Sequence, residues 1–159
     1  MAGIACNACS RLNFKLNGHL AGIETARSAI ELIVAMIIHS LIELPHGITL
    51  SCRSAGVAGN PVMVFLHGFP EAAFVWDATL LHFAARGYRC IAPNLRGFEI
   101  SSSPADVSQY RAKHLVQDIA ALIAIESPNQ PLAALVAHDW GGAVAWNLAN
   151  QRPDLMRKL

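Results

Sequence analysis

Asp139 lies in a stretch whose residue types and spacing could support nucleophilic catalysis. It follows an apolar run over residues 132–136, and small residues stand two positions before it (Ala137) and two after it (Gly141), with Gly142 next. A sharp strand-to-helix turn needs such small residues, because the two backbones pack closely there. Free N–H groups at the start of a helix also favour a negative charge at the turn. The stretch predicts an aspartate nucleophile, with a simple N-cap as the alternative.

A second stretch could supply the hydrogen-bond donors that the same site needs. An Asp that attacks carbon forms an alkyl ester, and hydrolysis of that ester develops negative charge on the ester oxygen. In a turn of this type one backbone donor is the residue after the nucleophile, Trp140, and the other lies in the loop after the third strand, here Phe69. Gly68 would let the backbone approach closely, and Pro70 would fix the loop, with a cis bond as one way to do so.

No histidine is placed as a general base for this nucleophile. His138 adjoins Asp139, but alternation along a strand directs its side chain to the opposite side. His67 is predicted to brace the oxyanion loop. The other histidines are His19, His39, His46, His82 and His114. With a nucleophile and two donors but no base, we expect that the chain alone does not turn over and at most traps an alkyl ester.

Composition limits the classes of protein to consider. With 159 residues, 53% of them hydrophobic and 14% charged, the chain can bury one core and is too apolar to be disordered. The net charge of +1 and the lack of a basic run argue against a nucleic-acid partner. Cys6, Cys9, Cys52 and Cys90 show no zinc spacing, so we expect reduced structural thiols in a cytoplasmic protein with neither metal nor cofactor.

The elements around these motifs alternate between strand and helix. Strands are predicted at residues 40–44, 48–53, 62–66, 89–92 and 132–136, and helices at 72–86 and 107–125 and after Asp139. This order is typical of an α/β domain with a mostly parallel sheet and helices on both faces, whose sites gather at the carboxyl ends of the strands. In the long helix, Asp106 is the expected N-cap, with Leu115, Ile119, Leu122 and Ile123 on the apolar face and Arg111, Lys113, Gln117 and Asp118 on the wetter one.

The N-terminal residues follow a different pattern. Residues 1–24 show no clean period, and residues 25–41 predict an amphipathic helix that competes with the first strand for its last residues. The apolar run is shorter than the roughly 20 residues that a bilayer requires. We expect this helix to pack against protein, with membrane contact as the less favoured alternative.

Three motifs together resemble the α/β-hydrolase superfamily, in its epoxide hydrolase and haloalkane dehalogenase branch. They are H-G-F-P-E from His67, R-G-F-x-x-S-S-x-P from Arg96, and A-H-D-W-G-G-A-V-A-W from Ala137. The resemblance covers about residues 40–159, the N-terminal part of such a domain, and leaves residues 1–39 as an extension outside the family. It implies Asp139 as the nucleophile, with Phe69 and Trp140 in the oxyanion hole and Trp140 also lining the pocket. It further implies that an acid, a base His and a cap with two tyrosines would follow the elbow, and this sequence does not contain them.

Within that branch the substrate class depends on few residues. Haloalkane dehalogenases usually have Asn or Glu where this chain has Phe69, and haloacetate dehalogenases commonly have Arg in place of Trp140. Phe69 with Trp140 is most similar to epoxide hydrolases, and we expect Phe69, Trp140 and Pro70 to contact an epoxide. Glu99 departs from the Gly usual at its position. Hydrolysis of an organohalide by the same nucleophile and a non-catalytic fragment that serves association are the alternatives.

Overall fold

The computed structural model describes residues 36–159, where five strands form one sheet. They are β1 (Ile38–Glu43), β2 (Thr49–Ala55), β3 (Val62–Leu66), β4 (Arg89–Pro93) and β5 (Ala134–Ala137), in the spatial order β1-β2-β4-β3-β5. β3 pairs in parallel with β4 and β5, and β2 pairs antiparallel with β1 and β4. Only β2 therefore runs against the others, which confirms the predicted mostly parallel sheet.

Within residues 36–159, three α-helices lie on the two faces of this sheet. They are α1 (Asp77–Ala84), α2 (Ala112–Glu126) and α3 (Trp140–Gln151), and short 3-10 turns occur at Ala73–Trp76, Val107–Tyr110 and Pro153–Leu155. Apolar residues of α2 and α3 pack in one core cluster, and those of α1 pack in a second. The predicted helices on both faces are confirmed.

Strand β3, which lies between β4 and β5, contacts both cores because its side chains alternate between them. Val64 and Leu66 belong to the cluster with α2 and α3, while Met63 and Phe65 belong to the cluster with α1. All five β3 residues are buried, as expected for a strand covered on both faces. Full burial of such a side chain contributes roughly 1.5–3 kcal/mol. The loop that begins at His67 therefore starts from a firmly held strand end.

Two predicted helices differ from the observed elements. Residues 38–41, expected to end the N-terminal helix, lie in β1, because they pair with β2 in the register Ile38↔Ser54 to Leu41↔Ser51. Residues 36 and 37 are not helical either, and residues 25–35 of that predicted helix lie outside the described residues. The helix predicted over residues 107–125 is broken at Arg111, whose backbone is extended with ψ 148°, so Asp106 caps the 3-10 turn and not α2.

Two of the four cysteines lie in the described residues, Cys52 in β2 and Cys90 in β4. Both are free and buried, and burial raises the pKa of each thiol to about 12. They are therefore protonated packing residues at neutral pH. Cys6 and Cys9 lie outside the described residues. Among the helices of residues 36–159, none has the length and apolar character needed to cross a bilayer.

Candidate active site

Asp139 occupies the turn between β5 and α3 in an unusual backbone conformation. Its φ of 52° and ψ of −120° lie in a region that residues with a side chain rarely adopt. Gly141 allows the turn to pack against the end of β3, because a Cβ there would lie 2.6 Å from the carbonyl oxygens of both Leu66 and His67. Only glycine fits so close to the end of β3. The predicted sharp strand-to-helix turn is thus present, with Gly141 as its packing residue.

The other predicted small residue has no such role. A Cβ on Gly142 would meet nothing within 4 Å, so close packing does not require glycine there. The prediction that close packing at the turn requires Gly142 is wrong, because this half-buried residue leaves open space where a Cβ would lie. Gly142 therefore serves as a natural control for Gly68 and Gly141.

The Asp139 carboxylate accepts a hydrogen bond from a residue that is distant in the sequence, and it does not cap α3. It makes no N-capping hydrogen bond to the N–H groups beyond Trp140 in the first turn of α3. Its Oδ1 accepts the backbone N–H of Phe69 at 2.9 Å, from a residue 70 positions earlier in the chain. That N–H, followed by the N–H of Trp140, holds the pKa of the exposed Asp139 carboxyl below its usual value, with a smaller contribution from His138. The geometry thus favours a functional role over the N-cap alternative.

Gly68 brings the loop after β3 against this carboxylate. A Cβ on Gly68 would lie 2.5 Å from the Asp139 Cβ and 2.7 Å from Oδ1. The Phe69–Pro70 peptide bond that follows is cis. Glycine at position 68 is therefore what allows the Phe69 N–H to reach Asp139.

His67 connects this loop to the segment after β4. Its side chain is fully buried, with Nδ1 2.9 Å from the Gly68 carbonyl oxygen, and Nε2 accepts the Leu95 N–H at 3.1 Å. Because Nε2 accepts, the proton lies on Nδ1, which donates to Gly68. Burial lowers the pKa of His67, so the ring is neutral, and it packs edge-on against Phe98. These contacts support the predicted bracing role.

His138 is largely exposed and points toward Glu71, with 3.9 Å between His138 Nδ1 and Glu71 Oε2. Within residues 36–159, no imidazole hydrogen-bonds to the Asp139 carboxylate. The same part of the chain holds no group of three or more His, Cys, Asp or Glu side chains that could bind a metal ion. The groups that contact Asp139 are thus backbone donors.

A cavity of about 240 Å³ lies beside the two donor residues. Arg96 and Tyr110 form part of its wall, and Pro70, expected to contact substrate, is not on it. Phe69 and Trp140 flank the opening and leave 66% and 61% of their surfaces exposed. The apolar lining residues are Phe69, Leu95, Phe98, Leu115, Trp140 and Val144.

Asp118 was predicted to be solvated and is in fact 1% exposed. Both of its oxygens accept from Arg96, at 2.6 Å to Nε and 2.6 Å to Nη2, and Oδ1 also lies 2.7 Å from His46 Nε2. Helical periodicity placed Asp118 with the polar residues. It could not reveal the partner of Asp118, which lies 22 positions earlier and outside the helix. The prediction was wrong because a buried carboxylate is tolerated when it is paired and hydrogen-bonded.

Arg96 also explains the break at Arg111. In a continuous helix the Gln109 carbonyl would accept the N–H four residues later. Here it accepts Arg96 Nη1 at 2.8 Å, and Arg96 Nη2 lies 3.4 Å from the His114 carbonyl oxygen. Sequence reasoning gave no role to Arg96, Phe98, Tyr110 or Val144, although the first two lie in the R-G-F motif.

Comparison with known proteins identifies the family. A family model described as alpha/beta hydrolase fold matches residues 61–159. The chain belongs to the α/β-hydrolase family. Among α/β hydrolases, it is 42% identical over 114 residues to the AB hydrolase superfamily protein YfhM of Bacillus subtilis, covering 72% of this chain and 39% of that protein. It is 40% identical over 109 residues to an epoxide hydrolase of Caballeronia sordidicola, covering 69% of this chain and 32% of the relative.

Solved structures of α/β hydrolases agree with this placement. An epoxide hydrolase from Vigna radiata matches with a TM-score of 0.71 and 40% identity, covering 76% of this chain and 38% of that one. Potato epoxide hydrolase I matches with a TM-score of 0.72 and 36% identity, covering 77% and 38%. The chain thus spans about two-fifths or less of the length of these relatives.

Proposed function

We propose that the chain is the nucleophile-bearing part of a hydrolase that opens an epoxide to a vicinal diol through an alkyl ester on Asp139. The observation that carries this proposal is the bond from the Phe69 N–H to Asp139 Oδ1. For an Asp nucleophile, the oxygen that becomes negative during ester hydrolysis is one of its own. The donors must therefore meet one oxygen of the carboxylate, and the contact of the Phe69 N–H with Oδ1 supports the proposal in this respect.

In the first step, Asp139 Oδ2 attacks a carbon of the three-membered ring. A C–O bond forms, the ring C–O bond breaks with its electron pair going to the ring oxygen, and that oxygen takes a proton from solvent water. In the second step, water attacks the ester carbonyl carbon, and negative charge on Oδ1 is met by the N–H groups of Phe69 and Trp140. Collapse of this intermediate releases the diol and restores the carboxylate. Similarity to the epoxide hydrolases of Caballeronia sordidicola and Vigna radiata supports this substrate class.

We further propose that the 159-residue chain alone stops at the ester. The second step needs a base to activate water, and within residues 36–159 no imidazole contacts the nucleophile. Histidine is the usual base for such a step, because its side chain exchanges a proton near neutral pH. Stoichiometric formation of the ester is therefore the expected activity.

Incubation with styrene oxide tests both parts. We expect the intact mass to rise by one styrene oxide per chain, with less than one equivalent of diol released. Asp139→Asn is the matched control and should gain no such adduct. A parallel incubation with a haloalkane addresses the dehalogenase alternative: halide release without an epoxide adduct would refute the proposal, and catalytic diol release would refute the arrest at the ester.

A further inference from the structure

The segment that directly follows β4 holds both ends of the loop that carries the Phe69 N–H. At the start of this loop, the backbone N–H of Leu95 donates to His67 Nε2 at 3.1 Å. At its end, the backbone N–H of Ala73 donates to the side-chain oxygen Oδ1 of Asn94 at 2.7 Å. Two neighbouring residues of one segment therefore fix the loop at two points.

The amide of Asn94 is fully buried and lies between two partners of opposite kind. Its Oδ1 faces the Ala73 N–H, which can only donate, and its Nδ2 donates to Glu99 Oε2 at 2.9 Å. A longer contact of 3.3 Å joins Nδ2 to Ser51 Oγ. Because an ionised carboxylate can only accept, Glu99 fixes the direction in which the amide points. The oxygen of Asn94 thus stays on the side of Ala73.

Glu99 reaches this amide from a strained backbone position. Its φ of 47° is one that a residue with a side chain rarely adopts, and such strain persists only where the surrounding structure enforces it. Glycine would remove the strain, but it would also remove the carboxylate that meets Asn94. The position therefore keeps an acceptor beside a buried donor that needs one.

We propose that Asn94 and Glu99 are positioning residues of the oxyanion hole: Asn94 holds the end of the loop that carries the Phe69 N–H, and Glu99 orients the Asn94 amide. Both act through that N–H, which donates to Asp139 Oδ1 at 2.9 Å, so neither is a catalytic residue. Their role rests on the proposed function, because the loop serves as an oxyanion loop only if Asp139 forms the ester.

An exchange of donor and acceptor tests the role of this pair. In Asn94→Asp, a buried carboxylate faces the carboxylate of Glu99, and we expect the repulsion to release the end of the loop. The pKa of Asp139 should then rise toward its ordinary value of 3.8, because the Phe69 N–H is the main cause of its lowering. Alkylation by styrene oxide should slow about tenfold, the effect of losing one hydrogen bond.

Adding Glu99→Gln to Asn94→Asp should restore both the pKa and the rate. The new amide donates to one oxygen of the new carboxylate, and the other oxygen accepts the Ala73 N–H. This double variant has the net charge of the wild type, so it separates lost geometry from added charge. Glu99→Gln alone keeps an acceptor for Asn94 and should slow alkylation less than Asn94→Asp.

Ser102→Ala is the matched control for these changes. Ser102 lies on the same loop as Glu99, but its Oγ accepts the backbone N–H of Thr49 and does not contact the Phe69 loop. Its removal should leave the pKa of Asp139 and the alkylation rate unchanged.

Glu99→Ala decides the question if Asn94→Asp does not fold, because it removes only an exposed side chain. Loss of a negative charge would by itself lower the pKa of Asp139, so a rise in that pKa marks release of the loop. An unchanged pKa and rate in folded Asn94→Asp or Glu99→Ala, or a double variant that recovers neither, would overturn the inference and leave the ester on Asp139 standing. Absence of any adduct in the wild-type chain would instead refute the proposed function, whereas the pKa of Asp139 would still report where the Phe69 N–H lies.

Discussion

Gly68→Ala should uncouple the nucleophile from its donor without disturbing the fold. The added Cβ would lie 2.5 Å from the Asp139 Cβ, about 1 Å short of the roughly 3.5 Å at which carbon atoms ordinarily meet. Gly68 has no positive φ, so the backbone itself accepts alanine. Either the loop or the carboxylate must move by about that 1 Å, which breaks the contact of Phe69 N–H with Oδ1. A misplacement of this size costs on the order of a hundredfold in rate.

The assay is the rate of adduct formation with styrene oxide, followed by intact mass spectrometry. Gly142→Ala is the matched control, because a Cβ there meets nothing within 4 Å. It should alkylate at the wild-type rate and should be more stable by about 0.5–1 kcal/mol, since alanine favours a helix over glycine. Circular dichroism melts establish that both variants fold. Alkylation of folded Gly68→Ala at the wild-type rate would show that the contact of the Phe69 N–H with Asp139 does not control the reaction.

Three further predictions follow from named contacts. The lowered pKa of Asp139 means that its ionised carboxylate stabilises the folded state. This contribution is fully present above the ordinary pKa of 3.8 and is lost as the pH falls through the lower folded pKa. An NMR titration should give Asp139 a pKa below 3.8, and a pKa at or above 3.8 would contradict the prediction. Glu99 has a φ of 47° and accepts from Asn94 Nδ2 at 2.9 Å, so Glu99→Gly should be about 1 kcal/mol more stable in urea than Glu99→Ala, which keeps the strain; equal stabilities would show that the strain is absent. Asp118→Asn should destabilise by about 3 kcal/mol, because it leaves the buried Arg96 charge without its counterion; a urea midpoint unchanged from wild type would exclude a buried ion pair.

Local signals were enough to predict the framework. The run of five apolar residues at 62–66 matches β3, whose five residues are all buried, because a strand covered on both faces cannot carry polar residues. The turn at Asp139 was recognisable because close packing at such a bend leaves a requirement for small residues in the sequence.

The errors arose where a distant partner decides the structure. Asp118 is buried because Arg96 reaches it, and the helix breaks at Arg111 because the Gln109 carbonyl bonds to the same Arg96. Neither contact leaves a periodic signal in the sequence. Residues 38–41 fit a helical period, but pairing with β2 places them in a strand. The cavity was missed for the same reason, since its wall combines residues from several separate segments.

The central claim is that Asp139 is the residue that becomes esterified. Proteolysis and tandem mass spectrometry of the chain after exposure to styrene oxide test it most directly. We expect one modified residue, Asp139, in the wild-type chain and an unmodified peptide in Asp139→Asn. An adduct on any other residue, or an equal adduct in Asp139→Asn, would contradict it.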